Sequence, residues 1–303
     1  MEHDTITVRG TRARNFAILF AALFVALSLP VFIAGCAVHQ PEEAPAPRAS
    51  TSIPLEILKP EGPGPFPAVV MLHDCSGLGP RSSGAPRRWA RELVGRGYVV
   101  AIPDSFSTRG FPGGVCTDPS PERVQVGPFR RVRDAYETLD HLRTLPYVDG
   151  GRVGVMGGSH GGSTTLATLA ANSNAVSQRA RPGFTAGVAL YPGCAIGNPR
   201  FNVSYRPAAP LLILAGELDD WTPAQPCREL AAARAGGKVT LKVYPGAHHS
   251  FDNSSPLRYV PTRNNVNAPG GRGATTGGNP EAWAESIREA TAFFARELGS
   301  KRP

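Results

Sequence analysis

Six short apolar runs recur along this chain, at residues 68–73, 98–102, 152–156, 186–191, 211–215 and 241–244, and each stops against Gly, Pro or Asp. Runs of four to six residues enriched in β-branched side chains suit strands covered on both faces. Helix-like segments fall among them at 86–96, 128–145, 160–173, 223–235 and 280–298. The last is the best punctuated: Asn279 can cap it, Pro280 fits its first turn and Gly299 follows its end. Its apolar residues, Trp283, Ile287, Ala290, Phe294 and Leu298, recur at spacings of three and four. Strands alternating with helices predict a mostly parallel sheet with right-handed crossovers and helices on both faces.

Composition agrees. With 41% hydrophobic and 18% charged residues the chain can bury a core, which excludes wholesale disorder. Its 34 Gly and 30 Pro fall between the apolar runs without a G-X-Y period, which excludes collagen. The net charge of +8 suggests a nucleic-acid partner until it is placed on the chain. Of 32 basic residues 28 are Arg, scattered along the length. The tightest group, Arg130, Arg131 and Arg133, has Asp134 and Glu137 beside it and reads as a solvated helix face. No nucleic-acid motif accompanies it, and no nucleic-acid partner is expected.

The N-terminus reads as an address. Arg9, Arg12 and Arg14 precede an apolar run from Phe16 to Ala34 that closes on Ile33-Ala34-Gly35-Cys36. A basic region, an apolar region and small residues before a cut site make a secretory signal peptide. The closing tetrapeptide resembles the lipobox of bacterial lipoproteins, which implies that Cys36 is lipidated and becomes the mature N-terminus. An uncleaved anchor would need ~17–25 apolar residues, and Pro30 and the small-small-Cys ending argue against it. Residues 1–35 are thus expected to be a signal peptide. Residues 36–52, with Pro41, Pro45 and Pro47, read as a semi-extended tether, and 53–303 as one undivided domain. The expected location is the periplasmic or outer-surface side of a bacterial membrane.

In an exported protein, the even set Cys75, Cys116, Cys194 and Cys227 suggests disulfides. The pairing Cys75–Cys116 and Cys194–Cys227 is favoured, because each pair joins loops that follow successive predicted strands. No CxxC or close Cys/His set points to a metal, and no cofactor is expected.

Function in such sheets sits at the carboxyl ends of the strands. After the 152–156 run comes Gly157-Gly158-Ser159-His160-Gly161-Gly162, a G-x-S-x-G element leading into a helix-like segment. That is the layout of a nucleophile elbow, whose sharp turn exposes the serine Oγ. Serine needs a histidine to take its proton and an acid to orient that histidine. Both types follow in the order Ser, Asp, His. Asp219 lies in a loop that also holds Glu217 and Asp220, after the 211–215 run. His249 lies beside His248 after the 241–244 run.

These segments together resemble the dienelactone hydrolase family of the α/β-hydrolases. The resemblance spans about Ile53 to Leu298. It is carried by the strand ending at His73, by Gly97 to Asp104, by Gly157–Gly162, by the G-x-x-D-x-x-x-P string from Gly216 to Pro223, and by Y-P-G-A-x-H-x-F from Tyr244 to Phe251. It implies an α/β-hydrolase fold without a large lid domain. It also implies Ser159 as nucleophile, Asp219 rather than Asp220 or Glu217 as acid, and His249 rather than His248 as base. Alignment with the family's oxyanion loop implies the backbone N–H of Cys75 as one donor, with that of His160 as the other. The founding members carry a cysteine nucleophile, so Ser159 is a departure that favours a carboxylic ester hydrolase. Arg109 falls roughly where the family sets an arginine against a substrate carboxylate, and Trp221 is a candidate wall of the acyl pocket. Asp104 reads as a strand-end structural acid.

The expected reaction is hydrolysis of small carboxylic esters or lactones through an acyl-enzyme. Only 19 residues separate Tyr191 from Leu211, too few for a large interfacial lid, so small soluble acyl substrates are favoured. Residues 253–278, rich in Gly and Asn, are expected to form a mobile loop beside the site. A peptidase or acyl-sugar esterase of the same superfamily, or a non-catalytic envelope-binding lipoprotein, stands as the alternative reading.

Overall fold

The computed structural model describes residues 53–171, 180–195, 204–234 and 237–299. The signal peptide, the Pro-rich tether and the lipidation candidate Cys36 lie outside the described residues. Among the described residues, no helix is long and apolar enough to cross a membrane.

Seven strands form one sheet: β1 (Leu55–Leu58), β2 (Phe66–Leu72), β3 (Val99–Pro103), β4 (Val148–Gly158), β5 (Ala186–Leu190), β6 (Leu211–Gly216) and β7 (Val239–Tyr244). Their order is β1-β3-β2-β4-β5-β6-β7, and every pairing is parallel except that of β1 with β3. The six expected runs are the six parallel strands. The short edge strand β1 carried too weak a pattern to stand out, since all four of its residues are only half-buried.

Among the described residues, five α-helices cover the sheet: α1 (Ala85–Val94), α2 (Pro128–Leu142), α3 (His160–Leu169), α4 (Ala224–Ala232) and α5 (Pro280–Leu298). The period-2 geometry of a strand explains why both layers form. In β2, Ala68, Val70 and Leu72 join one core layer with Val132, Leu139 and Leu166 of α2 and α3. Val69 and Met71 point the other way, toward Trp89 and Leu93 of α1 and Phe293 and Phe294 of α5. Strand β6 divides likewise, Leu211 and Ile213 from Leu212 and Leu214. Each such Val, Leu, Ile, Met or Phe side chain contributes about 1.5–3 kcal/mol of burial free energy. The Asn279 side chain does cap α5, accepting the Ala282 N–H at 3.0 Å.

Two disulfides are present in the expected pairing. Cys75–Cys116 ties the turn after β2 to the segment after β3, and Cys194–Cys227 ties the segment after β5 to α4.

Two readings need correction. Residues 253–278 contain an antiparallel hairpin, β8 (Arg258–Asn264) with β9 (Arg272–Thr276), in place of the loop expected. The β-branched residues Val260, Thr262, Thr275 and Thr276 were a strand signal hidden by the Gly and Asn around them. The basic group on α2 is also no uniform solvated face. Arg130 and Arg133 are exposed, but Arg131 and Asp134 are completely buried.

Candidate active site

The candidate side chains Ser159, Asp219 and His249 sit after the carboxyl ends of β4, β6 and β7, where sites in such sheets are expected. Between β4 and α3, Ser159 holds φ 54° and ψ −116°, a conformation that costs a non-glycine residue on the order of 1–3 kcal/mol. The glycines flanking it allow the turn to pack. A Cβ on Gly157 would stand 2.5 Å from the Gly161 carbonyl carbon, and one on Gly161 would penetrate the Leu72 carbonyl oxygen. The elbow is held by Ser159 N–H donating to the Leu190 carbonyl at 2.9 Å.

His249 Nε2 lies 2.8 Å from Ser159 Oγ, and His249 Nδ1 lies 2.8 Å from Asp219 Oδ2. The carboxylate fixes Nδ1 as the protonated nitrogen, which leaves Nε2 free to accept the serine proton. Asp219 is held in turn by its own loop. Its Oδ1 accepts the Trp221 N–H at 2.9 Å and the Thr222 N–H at 2.8 Å. All three side chains are buried or nearly so, His249 completely. The neighbouring candidates fall elsewhere. Asp220 binds Thr275 of β9, Glu217 accepts the Gly246 N–H, and His248 lines neither cavity beside Ser159.

Thr222 was not foreseen. Its Oγ1 lies 3.0 Å from both Asp219 Oδ2 and His249 Nδ1, and 2.9 Å from the Tyr191 carbonyl, so it joins acid, base and the end of β5. The hairpin also supports the base. Gly277 N–H donates to the His249 carbonyl at 3.1 Å, and Thr276 Oγ1 donates to it at 3.2 Å. Tyr191 packs edge-on against the His249 ring, and its hydroxyl is anchored on Asp252 at 2.7 Å. Burial raises the Asp252 carboxyl above its ordinary range.

Cys75 and His160 both border the cavity beside Ser159, and neither N–H donates to a backbone acceptor among the described residues. Both are therefore free to serve an oxyanion. His160 is held from behind: Arg131 Nη1 donates to its Nδ1 at 2.7 Å. Burial first, and the Arg131 charge second, keep that imidazole neutral, well below its usual titration range. His73 is neutral for the same two reasons in the same order. Its Nδ1–H donates to the Asp74 carbonyl and its Nε2 accepts the Ser105 N–H, which fixes the turn that leads to Cys75.

Trp221 lines the cavities on both sides of Ser159, with its ring 4.6 Å from that of His249. Arg109 does not line them. Both its terminal nitrogens are bound to Asp134 at 2.6 Å, and one also reaches the Ser105 carbonyl, so it holds the loop after β3 onto α2. The substrate contact expected of it is corrected accordingly: a buried carboxylate has already taken its fork. Asp104 accepts the Phe106 and Ser107 N–H groups, a structural acid as expected. Asp74, Cys75 and Cys116 bring ligand-type atoms within 4.8 Å of one another. The two sulfurs are bonded to each other, however, and offer no thiolate to a metal.

A serine on a strand-to-helix elbow, a buried Asp–His pair aimed at its Oγ, and a mostly parallel seven-stranded sheet place the molecule among the α/β-hydrolases. More narrowly, the family model for the dienelactone hydrolase family matches residues 54–298, and the chain belongs to that family. A candidate dienelactone hydrolase from Klebsiella pneumoniae superposes with a TM-score of 0.58 at 19% identity, over 80% of this chain and 93% of that one. Apo esterase 2 of Thermogutta terrifontis superposes with a TM-score of 0.55 at 20% identity, over 82% and 91%. These structural likenesses concern the fold. The uncharacterised Escherichia coli protein YcjY is 32% identical over 92 residues, which are 30% of this chain and 27% of that protein's length.

Proposed function

We propose that the protein is a serine hydrolase that cleaves small carboxylic esters or lactones through an acyl-serine intermediate. The observation that carries this reading is the unbroken line Ser159 Oγ, His249 Nε2, His249 Nδ1 and Asp219 Oδ2, with 2.8 Å at each hydrogen bond.

His249 Nε2 takes the hydroxyl proton as Ser159 Oγ bonds to the carbonyl carbon. The N–H groups of Cys75 and His160 receive the oxyanion, and Asp219 stabilises the imidazolium. Collapse of the tetrahedral intermediate expels the alkoxide, which His249 protonates. Water then enters, gives its proton to His249 and attacks the acyl carbon. The acid departs as the proton returns to Ser159. General base catalysis contributes about 10²–10⁴-fold and each oxyanion donor about 10²–10³-fold.

Ester cleavage is favoured over peptide cleavage because family membership and the esterase neighbour point the same way. The test compares 4-nitrophenyl butyrate with an acylated amino-acid 4-nitroanilide. Hydrolysis of the ester with kcat/KM at least about 100 times that of the anilide is expected. Equal or faster anilide cleavage would identify a peptidase instead.

The exported location belongs to the same proposal. Cys36, following Ile33-Ala34-Gly35, carries the lipid and holds the hydrolase at a bacterial membrane. Labelled palmitate should then be incorporated by the protein and not by its Cys36→Ser variant, and equal labelling of the two, or none of either, would oppose it.

A further inference from the structure

Ser159 stands between two cavities of different chemistry. One, of about 580 Å³, is lined by His249, Ser250, Thr276, Ser76, Ser83 and Arg263 among others, and its wall holds no aliphatic side chain. The other, of about 620 Å³, is bordered by His160 and Thr222 and lined by Val115, Pro119, Pro121 and Val124. Val124 is 70% exposed, so its side chain is accessible to an apolar group in this cavity. Trp221, Cys75 and Cys116 border both cavities.

Proton transfer decides which half of an ester each one takes. The proton that leaves Ser159 returns to the leaving oxygen from His249 Nε2, so the alcohol must occupy the cavity that His249 borders. His249 borders the polar cavity and not the apolar one. Building on the ester-hydrolase reading above, we propose that the substrate is an ester of an apolar acid with an oxygen-rich alcohol. The acyl chain lies over Val115 and Val124, and the alcohol hydroxyls lie among Ser76, Ser83 and Ser250.

A mirrored pair of esters tests this: 1-hexanoylglycerol, with an apolar acid and hydroxylated alcohol, and hexyl glycerate, in which the halves are exchanged. The expected kcat/KM is at least tenfold higher for 1-hexanoylglycerol, although the α-hydroxyl of glycerate makes its ester the more reactive in water. Val124→Glu, at an exposed position, should reduce that ratio by about tenfold, and Arg228→Gln on the far exposed face of α4 should leave it unchanged. Equal rates, or faster cleavage of hexyl glycerate, would overturn the assignment while leaving the esterase reading intact. Failure of the protein to cleave any ester would remove that reading and this one with it.

A separate observation concerns Arg131. It is completely buried, and its Nε and Nη2 have no hydrogen-bond partner among the described residues. Its Nη1 binds His160, and its guanidinium lies 5.0 Å from the Phe106 ring centroid. Asp134, three residues on, gives both oxygens to Arg109; it is still the carboxylate that attracts Arg131 most, ahead of Asp74 and Asp104, but all three act from beyond ion-pair distance and Arg109 opposes them. Burial lowers the guanidinium to about 10, so it stays charged at neutral pH. A buried guanidinium without a direct ion pair, and with two of its nitrogens unbonded, is poorly repaid for its lost hydration. We infer that Arg131 is a positioning residue: it fixes His160, whose N–H faces the oxyanion, and supplies positive potential behind that hole.

Arg131→Met removes the charge at similar size. With 4-nitrophenyl butyrate, kcat should fall by about tenfold or more while KM stays within about threefold, and Arg131→Lys should recover part of the loss. Arg109→Gln gives a second route should the methionine variant not fold, because it frees Asp134 to neutralise Arg131. It should lower kcat, and the double variant R109Q/D134N should restore it. A folded R131M with kcat within twofold of the parent, or R109Q/D134N no better than R109Q, would overturn the inference.

Discussion

Replacing Ser159 by alanine should lower kcat for ester substrates by about 10⁶-fold, with the midpoint of thermal unfolding close to that of the parent. Alanine keeps the Cβ and the backbone of the elbow, so the variant removes only the atom that forms the acyl bond. His249→Ala should cost nearly as much by itself, and adding it to Ser159→Ala should cost little more, because the two act as one unit. Asp219→Asn should cost about 10⁴-fold, since an amide at that position turns the imidazole toward the wrong tautomer. Asp220→Asn provides the contrast, because Asp220 is engaged with Thr275 on the hairpin. Steady-state hydrolysis of 4-nitrophenyl butyrate by the purified variants measures all five. A Ser159→Ala protein with a tenth of parental activity would place the chemistry elsewhere.

Gly161→Ala should damage both stability and activity. The added methyl would collide with the Leu72 carbonyl oxygen and stand 2.8 Å from that of His73, both backbone atoms that cannot move aside cheaply. Overpacking of this severity costs about 3 kcal/mol or more, or roughly 10 °C in a domain of this size at ~2–4 °C per kcal/mol. Relief by moving the end of β2 would carry the Cys75 N–H away from Ser159, so kcat should fall even in the folded fraction. Gly151→Ala is the matched control, at an exposed position where the nearest atom is 3.5 Å away, and should change stability by less than about 0.5 kcal/mol. Thermal unfolding followed by circular dichroism, with activity per folded molecule, reads both effects. A Gly161→Ala protein as stable and active as Gly151→Ala would contradict the account of how the elbow packs.

Much of this molecule could be read from its residues, for a physical reason. A buried parallel strand must be apolar on both faces, so β2 and β6 announce themselves as continuous runs, and the elbow glycines are required by close backbone contact. The disulfide pairing followed from strand order for the same reason, since loops after successive strands meet at one edge of the sheet. Features that depend on pairing between distant segments were not legible. Strand β1 gains its strand character from its partner rather than from pattern, and the β-branched residues of the β8–β9 hairpin were masked by the Gly and Asn around them. Arg131 looked like one more surface cation, because the i+3 partner that might have neutralised it, Asp134, is claimed by Arg109 from a loop twenty-five residues away. That contact also explains why Arg109, placed by analogy against a substrate, is structural here. Choosing His249 over His248 likewise required the resemblance to a family, since adjacent histidines in a loop carry no periodic signal of their own.

The claim on which the rest depends is that Ser159 is a nucleophile activated by the imidazole 2.8 Å from its oxygen. Incubation of the folded protein with a fluorophosphonate, followed by peptide mass spectrometry, measures this directly. A single phosphonyl adduct on Ser159, forming in step with the loss of esterase activity and lost in His249→Ala, is the predicted result. No adduct on natively folded protein, or one that forms equally well in Ser159→Ala, would contradict it.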